Sequence, residues 1–190
     1  MIIVAIILLA VAAVLAPAVA VVRPRMPGWT DHPVRVDIAT SAVLLVLVGL
    51  AALLAAASGC ATGAGGVIAR VVAALAAVTG GSPIVRGVLA GGGVVTRNDD
   101  TEPGTAPHGD PDAAGPLRGG RVIGHLERLA VAATLLAGWP EGLAIILAVK
   151  SLARYPELRA PHASEQFIMG TFASVLWAVG AVGAGTLIIT

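Results

Sequence analysis

Charge is what this sequence has least of. Only 12% of its 190 residues are Asp, Glu, Lys or Arg, against roughly 25% in a soluble domain. So little charge cannot cover a globular surface facing water, which excludes a soluble enzyme and a nucleic-acid binder. Cysteine occurs once, at Cys60, so no intramolecular disulfide can close. Aromatics are 3% of the chain, and the only lysine is Lys150; the other eleven cations are arginines. That usage, with abundant Ala, Gly and Pro, is the bias of a GC-rich genome. What remains is 57% hydrophobic, with mean hydropathy +0.91. The composition predicts an all-α integral membrane bundle whose first partner is the lipid bilayer. A net charge of +1 names no other.

Chemical signatures are also sparse. No His-x-x-x-His or Cys-x-x-Cys spacing offers a zinc site, and His32, His108, His125 and His162 are scattered. The Gly-rich stretches 63–66 and 91–93 lack the neighbouring lysine of a phosphate loop. A divalent cation held in the bilayer needs several carboxylates, and only Glu127 falls within an expected span. No Ser-His-Asp set can be assembled. Ala57-Ser58-Gly59-Cys60 has a lipobox outline but follows a second span, so lipidation is not expected. No catalytic residue, metal or cofactor is predicted.

At about 20 apolar residues per crossing, the chain predicts six spans, near 1–22, 38–58, 61–81, 121–138, 140–155 and 165–189. The first has no cation ahead of it and reads as an uncleaved span, despite Ala18-Val19-Ala20. Pro17 predicts a kink near its end. Segment 23–37 reads as a polar loop in which Trp29 suits an interfacial anchor. The third span carries Arg70 and reaches crossing length only if its Gly-rich flanks join it. After Pro83 and Arg86, the short apolar stretch 87–95 reads as interfacial or re-entrant. Segment 97–118 holds five acids and four prolines with almost nothing apolar, which predicts a disordered linker. It divides an N-terminal membrane region, 1–96, from a C-terminal one, 119–190. Ser164 is expected to cap the last helix.

Charge sets the expected orientation, because cytoplasmic loops carry the Arg and Lys. With both termini outside, Arg23, Arg25, Arg35, Arg86, Arg97, Arg118, Arg121 and Arg159 lie in cytoplasmic segments. Arg128, Lys150 and Arg154 lie in inner halves of helices, within snorkelling reach of the cytoplasmic interface. Only Arg70 lies toward the outside.

The last three spans bring charges together. Glu127 and Lys150 lie twelve and eleven positions either side of Trp139, so an antiparallel hairpin turning at Trp139-Pro140 sets them at one depth. Arg121 and Glu157 match in the same way. Lys150, Arg154 and Glu157 share one helix face. Arg128 points about 100° away from Glu127, and His125 reads as an interfacial hydrogen bonder. The cluster is either a salt-bridge lock between helices or the lining of a polar path. On the last helix, Gly170, Ser174 and Ala178, followed by Ala181 and Gly185, form a small-residue stripe for close packing, expected to serve contacts within the chain.

Gly124-His125-Leu126-Glu127-Arg128, then 150–155, then Glu165-Gln166-Phe167-Ile168-Met169-Gly170-Thr171 with Ser174 resembles a pattern in uncharacterised, actinobacterial-type multi-pass inner-membrane proteins. The resemblance covers about 119–176. It implies that the hairpin and last helix are one recurring unit in a plasma membrane, and it brings no activity. The leading functional expectation is a non-enzymatic scaffold or accessory subunit docking a membrane-protein partner. The alternative is a small oligomeric permease or channel with Glu127 and Lys150 in its path; a lipid-modifying enzyme comes third. A water-filled cavity beside the cluster would favour the permease, and a cluster sealed by the last helix the scaffold.

Overall fold

The computed structural model describes residues 1–58, 60–93, 120–153, 155 and 161–189. Among these there is no strand. The protein is a helical membrane bundle: α1 (Ile2–Val22), a 3-10 turn (Arg23–Arg25), the one-turn α2 (Pro27–Thr30), α3 (Pro33–Ala56), α4 (Ala64–Gly91), α5 (Gly120–Leu136), α6 (Gly142–Ala153) and α7 (Pro161–Leu187). The expected disordered linker, 97–118, lies outside the described residues.

Four helices, α1, α3, α4 and α7, are each long and apolar enough to cross a bilayer. These four are the ones found among the described residues; α5 and α6, the other two expected spans, each border residues outside them. At 1.5 Å per residue, the described part of α5 extends about 25 Å and that of α6 about 18 Å, so with the turn between them the hairpin reaches most of the way across a hydrocarbon core of about 30 Å. The turn at 137–141 takes residues out of both, with Gly138 at φ +70°. The chain enters and leaves the α5–α6 hairpin at one end, so the sidedness of the other helices is the same with four spans or six.

The third expected span is the best packed rather than the weakest. α4 runs through Pro83 and Arg86 to Gly91, so the predicted re-entrant stretch from 87 is the last turn of a helix. Pro and Gly interrupt helices in water, but in a bundle neighbouring helices can satisfy the backbone groups they free. α4 packs against α1, α3, α5 and α7. Its seam with α7 is built from small residues. A Cβ at Gly185 would stand 2.3 Å from Ala73 Cβ, and one at Gly80 2.4 Å from the Trp177 ring. Ala178 and Ala181 are fully buried in the same core, while Gly170 approaches Val85 of α4. The α7 stripe therefore serves packing within the chain.

Helix starts also differ from expectation. α3 begins at Pro33, five residues before the predicted span at 38, and α7 at Pro161, before Ser164. Proline is favoured at a first helical position, where its missing N–H has no intrahelical partner to lose. Around Pro17, α1 is continuous. α6 begins at Gly142, two residues after Pro140.

Candidate functional site

The depth of the polar groups follows from helix register. α1 has 21 residues, about 31 Å of helix, which matches the hydrocarbon core. Ala13 lies one residue from its middle. Its carbonyl accepts a 2.7 Å hydrogen bond from Thr79 Oγ1 of α4. One position away, Arg128 Nε of α5 donates to the Val78 carbonyl at 2.8 Å. Arg128 Nη1 lies 3.4 Å from Ser174 Oγ, at the middle of α7, and Nη2 lies 3.3 Å from Ser82 Oγ. Arg128 is thus at mid-bundle and only 4% exposed. The expectation that it snorkels near the cytoplasmic interface is corrected: three neutral acceptors hold it in place, none of them a carboxylate.

Local sequence makes this position possible. A Cβ at Gly81 would lie 2.4 Å from Arg128 Cδ, so the glycine is the slot through which the guanidinium reaches the α4 backbone. The neighbouring slot, Gly80, takes the Trp177 ring, whose Nε1 donates to the Ala76 carbonyl at 3.1 Å.

Glu127 faces the other helix of the hairpin. Lys150 Nζ lies 2.5 Å from Glu127 Oε2, the pairing that equal distance from the turn implies. Phe167 of α7 covers the ammonium, with its ring centroid 5.7 Å from Nζ. The space bounded by Glu127, Arg128, Lys150 and Ser174, with Val131, Ile146, Leu147 and Val175, amounts to about 10 Å³. That is at the lower limit for one water molecule.

A second charged cluster lies where α1 ends and α3 begins, and the sequence reading missed it. Asp37 is buried in the second turn of α3, at the edge of that span, which adds a second acid to the expected Glu127. Arg86 Nε donates to Asp37 Oδ2 and Nη2 to Oδ1, both at 3.0 Å. Arg23 Nη1 lies 3.5 Å from Oδ1. The available signal was Pro33: a helix starting there puts Asp37 one turn inside it, beside the arginine that ends α1.

The remaining predicted residues are not gathered at either cluster. His125 is half-buried on α5. Arg121 belongs to α5 by its backbone, but its side chain, like Arg154 and Glu157, lies outside the described residues, and so does the Arg121–Glu157 pair. Among the described residues, no three His, Cys, Asp or Glu side chains converge as a metal site, and no buried side-chain polar atom lacks a hydrogen-bond partner. No known protein family, curated protein or solved structure matches the chain.

Proposed function

We propose that this chain is a non-enzymatic accessory or scaffold subunit of a membrane complex, resident in a bacterial plasma membrane. The observation that carries the reading is the disposition of charge in the bundle. Glu127 is joined to Lys150, Arg128 is held by Val78, Ser82 and Ser174, and α7 closes over both with Ser174 and Phe167. A permease path needs polar side chains bordering water, and here they border about 10 Å³. Charges in membrane helices are costly and are usually paired with one another or with backbone carbonyls, as these are. The resemblance over 119–176 supports the bacterial setting. Co-purification from native membranes tests the proposal: a partner recovered in fixed stoichiometry supports it. Recovery of the chain alone, together with solute flux in proteoliposomes, would overturn it in favour of the permease.

The reading places both termini outside, on the strength of the arginine distribution. Gly142 is buried against Thr134 and Trp139, so a probe of the hairpin tip belongs on exposed Glu141. With Cys60 replaced, a cysteine at Glu141 should react with an impermeant maleimide from the outside. One at Gly109, between α4 and α5, should react only from the cytoplasm. Reversed labelling would contradict the orientation.

A further inference from the structure

Asp37 carries one negative charge and faces two guanidiniums. Arg86 occupies both of its oxygens with a fork, and Arg23 reaches only Oδ1 at 3.5 Å. The trio therefore keeps a net positive charge. The carboxylate side chain is 9% exposed, Arg23 is 22% and Arg86 36%. The acid is sealed in the bundle while both arginines open to the surface. Among the described residues, Asp37 is the one hydrogen-bond partner of the Arg23 side chain, so most of its guanidinium N–H donors are unspent.

The position of the trio limits what can use those donors. Arg23 follows the apolar run of α1 directly, and Asp37 precedes the apolar run of α3. The cluster thus stands at one edge of the hydrocarbon core, at headgroup level. Arg25, whose Nη1 donates to the Val21 carbonyl at 2.6 Å, and exposed Arg35 add positive charge at the same end. Around the cluster, Val21, Met26, Trp29, Val34 and Ile38 present exposed apolar surface. A free phosphate would have no use for that surface, whereas a lipid would lay its acyl chains along it. A guanidinium pinned by a carboxylate is also preorganised to meet two oxygens of a phosphate group.

We infer that Arg23 and Arg86, held by Asp37, form a binding site for the phosphate of an anionic phospholipid headgroup. The ligand is bound by a phosphodiester whose charge no cation in its own headgroup neutralises, which excludes a zwitterionic choline lipid, with Trp29 in the interfacial layer beside it. The site does not depend on the accessory-subunit reading.

The test uses the full chain in detergent, with binding followed by native mass spectrometry and by the thermal unfolding midpoint. Phosphatidylglycerol is compared with phosphatidylcholine of the same chains and with inorganic phosphate. Phosphatidylglycerol should bind and raise the midpoint well above the other two. Arg23→Gln leaves the Asp37–Arg86 fork in place, so it should fold normally in phosphatidylcholine. It should bind phosphatidylglycerol about tenfold more weakly or worse, beyond the roughly fivefold that one arginine supplies as general surface charge, and Arg23→Lys should recover part of that loss. Arg35 lies outside the Asp37 trio, so Arg35→Gln should weaken binding by less than Arg23→Gln does. Equal phosphatidylglycerol binding by wild type and Arg23→Gln would overturn the site. Equal losses in Arg23→Gln and Arg35→Gln would reduce it to general surface charge. A response to inorganic phosphate matching that to phosphatidylglycerol would overturn the lipid as its occupant.

Discussion

Valine in place of Gly80 or Gly185 should destabilise the bundle by about 3 kcal/mol or more, the upper range for forcing volume into a packed core. At Gly185 the obstacle is Ala73 of α4, 2.3 Å from where a Cβ would be placed. Neither alanine nor backbone can rotate away, so the two helices must separate. At Gly80 the obstacle is the Trp177 ring at 2.4 Å. That ring is buried and hydrogen-bonded to the Ala76 carbonyl, so displacing it also leaves an indole N–H without a partner. In lipid there is little hydrophobic drive to close the gap again, because helix association rests on close packing. Gly180 and Gly183 lie on the same helix with nothing within 4 Å of their missing Cβ atoms. Alanine there should leave stability within about 1 kcal/mol of wild type, or raise it through helix propensity. Unfolding in mixed micelles with increasing SDS would measure the series. Similar losses at Gly80 and Gly180 would show that the α4–α7 seam is not the close contact described.

Arg128 should give an order of stabilities that separates shape from charge. Arg128→Ala empties a mid-bundle slot between α4, α5 and α7, with an expected loss of about 3–5 kcal/mol, as for large-to-small core substitutions. Arg128→Met fills much of the same volume and removes a desolvated cation. It leaves Ser82 and Ser174, whose hydroxyls can turn to the backbone of their own helices. Replacing buried ionic groups by well-packed apolar ones is often neutral or stabilising, so Met should lie close to wild type. Arg128→Lys keeps the charge but loses the fork that reaches Val78, Ser82 and Ser174 at once. It should fall between Met and Ala. If Lys proved more stable than Met, the charge itself would be the stabilising element, and some anion would have to face it.

The features legible in the sequence were those fixed by counting along one helix or one tight turn. Lack of charge implied the membrane. Equal distance from Trp139-Pro140 implied the Glu127–Lys150 pair. The spacing of Ser174, Ala178, Ala181 and Gly185 implied a packing stripe. Features set by the neighbours of a helix were not legible. Pro83 and the glycines around it look like the end of α4, yet the helix continues because α1, α5 and α7 surround it. Arg128 looked like a snorkelling residue because its slot at Gly81 and its acceptors at positions 78, 82 and 174 lie on other helices. Asp37 reads as a loop residue because a helix starting at Pro33 has the same polar composition as a turn.

On the proposed function, the ionic groups inside the bundle hold helices together and line no path. The most direct test compares wild type with Glu127→Gln, Lys150→Met and the double variant. Stability in detergent and recovery from native membranes of the partner that the proposed function requires are measured on the same four proteins. Each single change leaves one charge in a site less than a quarter exposed, so each should destabilise, and the double variant should regain a substantial part of the loss. The double variant should also retain the partner at wild-type stoichiometry. Single losses that simply add, or a stable double variant that has lost its partner or a measurable transport activity, would contradict the account.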